Sequence, residues 1–78
     1  MKSISTQEIG SLIRQQRKRL GVTQKDVALT AGTGLRFLVD LEKGKSTVQL
    51  GKVLQVLQTL GISLQLDLGN DEPLDTNK

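Results

Sequence analysis

Residues 21–45 read GVTQKDVALTAGTGLRFLVDLEKGK, and their spacing predicts two short helices joined by a tight turn that contains glycine. Thr23 can cap the first by accepting from the backbone N–H groups that follow it, and Asp26 brings the second acceptor of a capping box. Helix 2 is therefore expected to start near Gln24. Val27, Ala28 and Ala31 recur at helical spacing, and Gly32, free to take a positive φ, stops the helix. Thr33 offers a cap for helix 3, which carries Leu35, Leu38 and Leu41 on one repeat, with Phe37 and Val39 off it. Lys43 and Gly44 close it with a cation and a flexible residue at the negative end of the dipole. Two helices bent in this way can lay the second in a DNA major groove.

Working outward, Ser5 and Glu8 form an S-x-x-E box before Ile9, Leu12, Ile13 and Leu20, which predicts helix 1 from about Thr6 to Leu20. Arg14, Arg17, Lys18 and Arg19 load its far end. Cations there suit both a helix C-terminus and a patch facing a nucleic-acid backbone. On the other side, Lys45 and Ser46 form a loop, and Thr47 is the expected cap of a helix 4 running from about Val48 to Leu60. Leu50, Val53, Leu54, Leu57 and Leu60 lie on one face of that helix with Val56 beside it, while Gly51 and Lys52 face away. So wide an apolar band predicts cover from outside the monomer. After Gly61 the period drops to two: Ile62, Leu64, Leu66 and Leu68 alternate with Ser63, Gln65 and Asp67, the pattern of a strand. A lone strand cannot satisfy its backbone, so pairing with its own copy across a twofold axis is expected. Leu57, Leu60, Ile62, Leu64, Leu66 and Leu68 would form the dimer interface.

The organisation expected is a flexible N-terminus over 1–5, a helical domain over 6–60, a dimerisation strand over 61–68 and an acidic, disordered tail over 69–78, GNDEPLDTNK. With 78 residues the chain is one small domain near the limit of self-sufficiency. It has no Cys and no His, so neither disulfides nor the usual metal ligands support it, and no metal or cofactor is expected. The same absence, with no phosphate-cradling glycine motif and no paired-acid cleft, argues against an enzyme. No apolar run reaches membrane-span length and the start MKSISTQEIG has no secretory core, so a cytoplasmic location is expected. The net charge of +3 is unevenly spread: residues 67–78 hold four acids and one base, leaving ten bases and four acids before them, a net +6. That core would be drawn to phosphate, although a solvated surface is equally basic in many domains.

The stretch resembles the lambda-repressor-like, Xre-type helix-turn-helix family in its Gly-apolar-Thr-Gln opening, its apolar-Ala pair, the turn Gly32, and the run Leu38, Leu41, Glu42, Gly44, Lys45. More narrowly, RFLVDLEKGK followed by LGKVLQVLQTLGISLQL resembles the HipB-like antitoxins of HipA-type toxin–antitoxin systems. The resemblance covers residues 8–68 and implies an all-α, lambda-repressor-like fold with a C-terminal β-strand pairing across a homodimer. It also implies site residues. Arg17 would pair with Glu42 to tie helix 1 to the end of helix 3, with direct DNA contact as its other reading. Phosphate contacts would come from Gln24, Lys25, Lys45 and the Arg17, Lys18, Arg19 end of helix 1. Leu35, Arg36 and Asp40 fall where relatives reach bases. Arg36 can take guanine O6 and N7 together; Asp40 could accept from cytosine N4 or orient Arg36 one turn earlier; Leu35 fits a thymine methyl, a protein partner or packing. Phe37, the lone aromatic residue, reads as core or core edge rather than a base-stacking platform.

The function expected is a sequence-specific, non-catalytic repressor of double-stranded DNA, working as a homodimer on a palindromic operator and, by resemblance, binding a HipA-like toxin kinase. A stand-alone or phage-type repressor shares every DNA feature. A protein-interaction module that has given up DNA would account for the apolar Leu35 and the acidic Asp40.

Overall fold

The computed structural model describes residues 4–69. Four helices follow in order: α1 (Thr6–Leu20), α2 (Gln24–Ala31), α3 (Leu35–Glu42) and α4 (Leu50–Thr59). Both capping boxes form. Ser5 accepts from the Glu8 N–H and Glu8 accepts from that of Ser5, which fixes a residue expected to lie in the flexible N-terminus; Thr23 and Asp26 repeat the exchange for α2. Gly32 takes φ 74°, and the Thr33 N–H reaches back to the Ala28 carbonyl at 2.9 Å, the closing bond of a Schellman turn. The same six-to-one bond ends α1, α3 and α4, through the N–H groups of Val22, Lys45 and Ile62.

Two caps differ from expectation. Gly34, not Thr33, is the N-cap of α3, and no side chain caps it. Thr33 is used up in closing α2, which leaves a single residue before α3 begins. Thr47 does not cap α4 either. Val48 packs against the core before the helix starts, the N-cap falls on Gln49, and α4 is two residues shorter at its start than the Val48–Leu60 expectation.

α3 packs on α1 and α2, and α2 packs on α4. Ile13, Leu38 and Val56 are fully enclosed at the centre, with Val27, Ala28, Leu41 and Val53 around them. Phe37 sits at the core edge with the Lys52 ammonium 5.7 Å from its ring centroid. The inner stripe of α4 is Val53, Val56 and Leu57, continued by Leu60 at its C-cap, whereas Leu50 and Leu54 are exposed. Leu57 and Leu60 are only 7% and 3% exposed in the single chain. They serve its own core, whereas the sequence pattern predicts them in a dimer interface. Burying Val56 instead of Leu54 is what turns α4 this way.

α1 crosses α3 so closely that Gly10 lies against backbone. A Cβ there would stand 2.8 Å from the Glu42 carbonyl oxygen and nearer still to that of Leu41. We expect Gly10→Ala to destabilise the fold by about 1–3 kcal/mol, overpacking outweighing the roughly 1 kcal/mol that Ala contributes to a helix. Urea unfolding checks this, and an unchanged midpoint would mean that the two helices part without cost.

Asp26 shows how a cap becomes pH dependence. The Thr23 backbone N–H holds its carboxyl below the ordinary 3.8, with the Thr23 hydroxyl and Lys25 acting in the same sense. A depressed carboxyl stabilises the fold above its unfolded value, and that contribution goes as pH falls through the folded value. In acid titrations, wild type should therefore exceed Asp26→Asn in stability above about pH 4 and lose that advantage below it.

The predicted strand is not formed among the described residues. Residues 62–66 have no regular secondary structure. Leu64, Leu66 and Leu68 are 48%, 72% and 63% exposed. Apart from Gly69, which donates to Asp67 Oδ1 at 2.8 Å, the acidic tail lies outside the described residues. No described helix is long and apolar enough to cross a membrane.

Candidate nucleic-acid interface

Leu38 and Leu41 point inward from α3, and the 3.6-residue turn then sets Arg36, Asp40 and Lys43 along one outward stripe. Arg36 extends from it with 88% of its side chain exposed. Asp40, one turn on, lies lower at 24%, with Oδ1 3.6 Å from Arg36 Nε and Oδ2 3.6 Å from Lys45 Nζ. Leu35 is exposed at the start of the same helix. The structure thus brings together Arg36, Asp40 and Lys45, while Leu35 is exposed about 100° round the helix from Arg36.

Behind this stripe Arg17 and Glu42 meet in a two-pronged ion pair, Nε to Oε2 at 2.7 Å and Nη2 to Oε1 at 3.1 Å. Arg17 Nη1 also donates to the Val22 carbonyl at 3.1 Å, so one side chain ties α1, the loop before α2 and the end of α3. The Glu42 hydrogen bond holds the guanidinium above its ordinary value, against the opposing effect of burial. The Glu42 side chain is only 4% exposed and Arg17 is spent inward on it, which counts against the phosphate reading of Arg17. Gln24 joins the same group, its Nε2 donating to Glu42 Oε1 at 3.0 Å. The side-chain amide at the start of α2 is therefore held toward Glu42.

The remaining cations divide between faces. Arg14 and Lys43 line a concavity with Gln24, Val39 and Glu42, and the exposed Lys25 follows Gln24 on α2. Lys18 lies one turn beyond Arg14 on α1 and is exposed. Arg19 is about 140° further round the helix than Arg14, and it lines a separate groove with Leu12, Gln15, Gln16 and Ile62. That groove is distinct from the concavity that Arg14 lines. Arg14 and Lys43 are cations of this concavity that the expected phosphate set does not include, and a helical projection places Arg14 one turn before Lys18. No cluster of acidic, His or Cys side chains suited to a metal ion occurs among the described residues.

A short turn between two helices, the second anchored by leucines and presenting a mixed polar stripe beside a basic concavity, is the arrangement of a helix-turn-helix transcription regulator. The chain belongs to the helix-turn-helix domain family, which it matches over residues 10–68. It is 58% identical over 59 residues to the uncharacterized HTH-type transcriptional regulator y4mF of Sinorhizobium fredii, spanning 76% of this chain and 78% of that protein. Among solved structures, a chain of the HipA-HipB-O2-O3 complex superposes with a TM-score of 0.77 at 22% identity, over 86% of this chain and 94% of that one. A chain described as HipB-O4 20mer complex gives 0.77 at 22% identity, over 88% and 97%. At that identity the match shows the shared four-helix fold.

Proposed function

We propose that the chain is a homodimeric, sequence-specific repressor of double-stranded DNA, cytoplasmic and non-catalytic, and the antitoxin of a HipA-like toxin. The observation that carries the DNA part is the outward stripe of α3. Arg36 is 88% exposed beside Asp40, with no hydrogen bond to a described residue, and its planar fork is free to take guanine O6 and N7. Gln24, Lys25, Lys18 and Lys45 flank it as phosphate anchors, joined by Arg14 and Lys43. Repression would work by occlusion, two α3 helices entering successive major grooves of a palindrome with half-sites about 10 bp apart or a multiple of that. The dimer would form through residues 61–68, whose alternating Leu64, Leu66 and Leu68 are exposed, and through the exposed side of α4. The toxin part draws on the HipB resemblance and on the fold shared with a chain of a HipA–HipB complex.

The test is a fluorescence-anisotropy titration of the DNA upstream of the chain's own gene, beside a scrambled duplex, at two salt concentrations. A preference of about 10³-fold or more is expected, with both affinities falling as salt rises. Arg36→Ala should weaken operator binding by roughly 5- to 100-fold and relax choice at one base position. Equal, salt-labile binding to both duplexes would reduce the basic face to a polyelectrolyte patch and favour the interaction-module reading, for which the exposed Leu35 is the supporting feature.

A further inference from the structure

An acid on a surface that receives phosphates is an electrostatic liability unless it does something there. α3 carries two. Glu42 is turned inward onto Arg17 and Gln24, while Asp40 remains on the outer stripe. Its two oxygens face different cations: Oδ1 faces Arg36 Nε and Oδ2 faces Lys45 Nζ, each at 3.6 Å. The atom engaged on Arg36 matters. The approach is at Nε, and neither terminal amino group of the fork hydrogen-bonds to a described residue, so both remain available to a ligand beyond the helix. A guanine offers two acceptors, O6 and N7, side by side, and an end-on fork meets both at once. Lys45 follows the turn at Gly44, so the same carboxylate also sets where the loop ammonium sits relative to Arg36.

We propose that Asp40 is a positioning residue, which holds Arg36 end-on toward a guanine and Lys45 toward the adjoining phosphate without touching a base itself. This rests on the DNA-binding reading above. Arg36 is almost wholly exposed and otherwise unrestrained within the described residues, so a carboxylate that limits its rotamers lowers the entropy lost on binding. Direct reading of cytosine N4 would require Asp40, set lower on the helix, to leave both cations. A phosphate would be repelled by Asp40 alone but accepted beside Lys45, which restricts where the backbone can lie.

The test starts from a duplex library with a randomised centre, selected with the full chain to give a consensus. Wild type, Arg36→Ala, Asp40→Asn, Asp40→Glu and the Arg36→Ala/Asp40→Asn double variant are then titrated on the consensus and on copies in which each guanine in turn is 7-deazaguanine, which lacks the N7 acceptor. Wild type should lose about tenfold at one guanine. Asp40→Asn should bind the consensus roughly tenfold more weakly and no longer sense that guanine, as expected for residues that act as a unit. Asp40→Glu should recover part of the loss, and the double variant should be no weaker than Arg36→Ala alone. Asp40→Asn that keeps the guanine sensitivity and changes preference at a cytosine would overturn the proposal in favour of direct readout, and Asp40→Asn that matches wild type throughout would overturn it outright. Arg36→Ala that still senses the guanine, or a library that yields no enriched sequence, would instead remove the DNA reading beneath it.

Discussion

Arg17→Ala is expected to lower stability by about 3–5 kcal/mol, the cost of leaving a buried carboxylate without its charge partner. Small domains hold only about 5–15 kcal/mol, so much of the fold's margin would go. Glu42, 4% exposed, would keep only the Gln24 amide, and the Val22 carbonyl would lose the donor that ties the α1–α2 loop down. Two further variants separate the sources of the effect. Arg17→Lys keeps the charge but has no planar fork to meet both carboxylate oxygens, so it should fall between wild type and Ala. The double variant Arg17→Met/Glu42→Leu removes both charges and should recover most of the loss, because replacing both partners of a buried pair with apolar groups is often neutral. Urea unfolding of the four proteins measures all of this. If Arg17→Ala kept its full stability and lost only DNA affinity, the side chain would be a phosphate contact after all, and the inward geometry would not describe its role.

The features that were legible in the sequence are those whose partners lie within a few residues. Ser5 with Glu8 and Thr23 with Asp26 carry their hydrogen-bond partners one turn away, and both helix starts fall where the boxes place them. Arg36 with Asp40 is likewise one turn apart, and the two are in contact. Three kinds of feature were not legible. Thr33 and Thr47 have the right chemistry for caps, but the backbone of one is consumed by the preceding turn, and Val48 packs on the core ahead of the helix that the other was expected to cap. Periodicity marks a residue as apolar without saying what covers it, so the burial of Leu57 and Leu60 by their own chain could not be read from the pattern. Gly10 reads as a weak point inside a helix, because the backbone it must clear belongs to Leu41 and Glu42, some thirty residues on. The Arg17–Glu42 pair spans a similar separation; it was visible only through resemblance to a family, since nothing local links the two residues.

In the proposed dimer, Leu64→Lys together with Leu66→Lys should leave a monomer and weaken operator binding by about 10²- to 10⁴-fold, the usual range of gain when two linked sites are engaged at once. Both side chains are exposed in the single chain, at 48% and 72%, so the new ammonium groups would meet water and leave the α1–α4 core undisturbed. The thermal transition of the helical domain should therefore persist, and any loss of binding can be assigned to the partner copy. Residues 63–66 make no backbone hydrogen bond to another described residue, and their apolar side chains alternate, which together suit a strand awaiting an antiparallel neighbour. Across a twofold axis each introduced lysine would face its own copy or a near neighbour, and like charges directly opposite oppose pairing. Sedimentation equilibrium reads the mass, and the anisotropy titration reads the affinity. A variant that still sediments as a dimer would take residues 61–68 out of the interface and leave the exposed side of α4 to account for it. A monomer that bound the operator as tightly as wild type would mean that one copy of α3 suffices, and the palindromic arrangement of half-sites would fall.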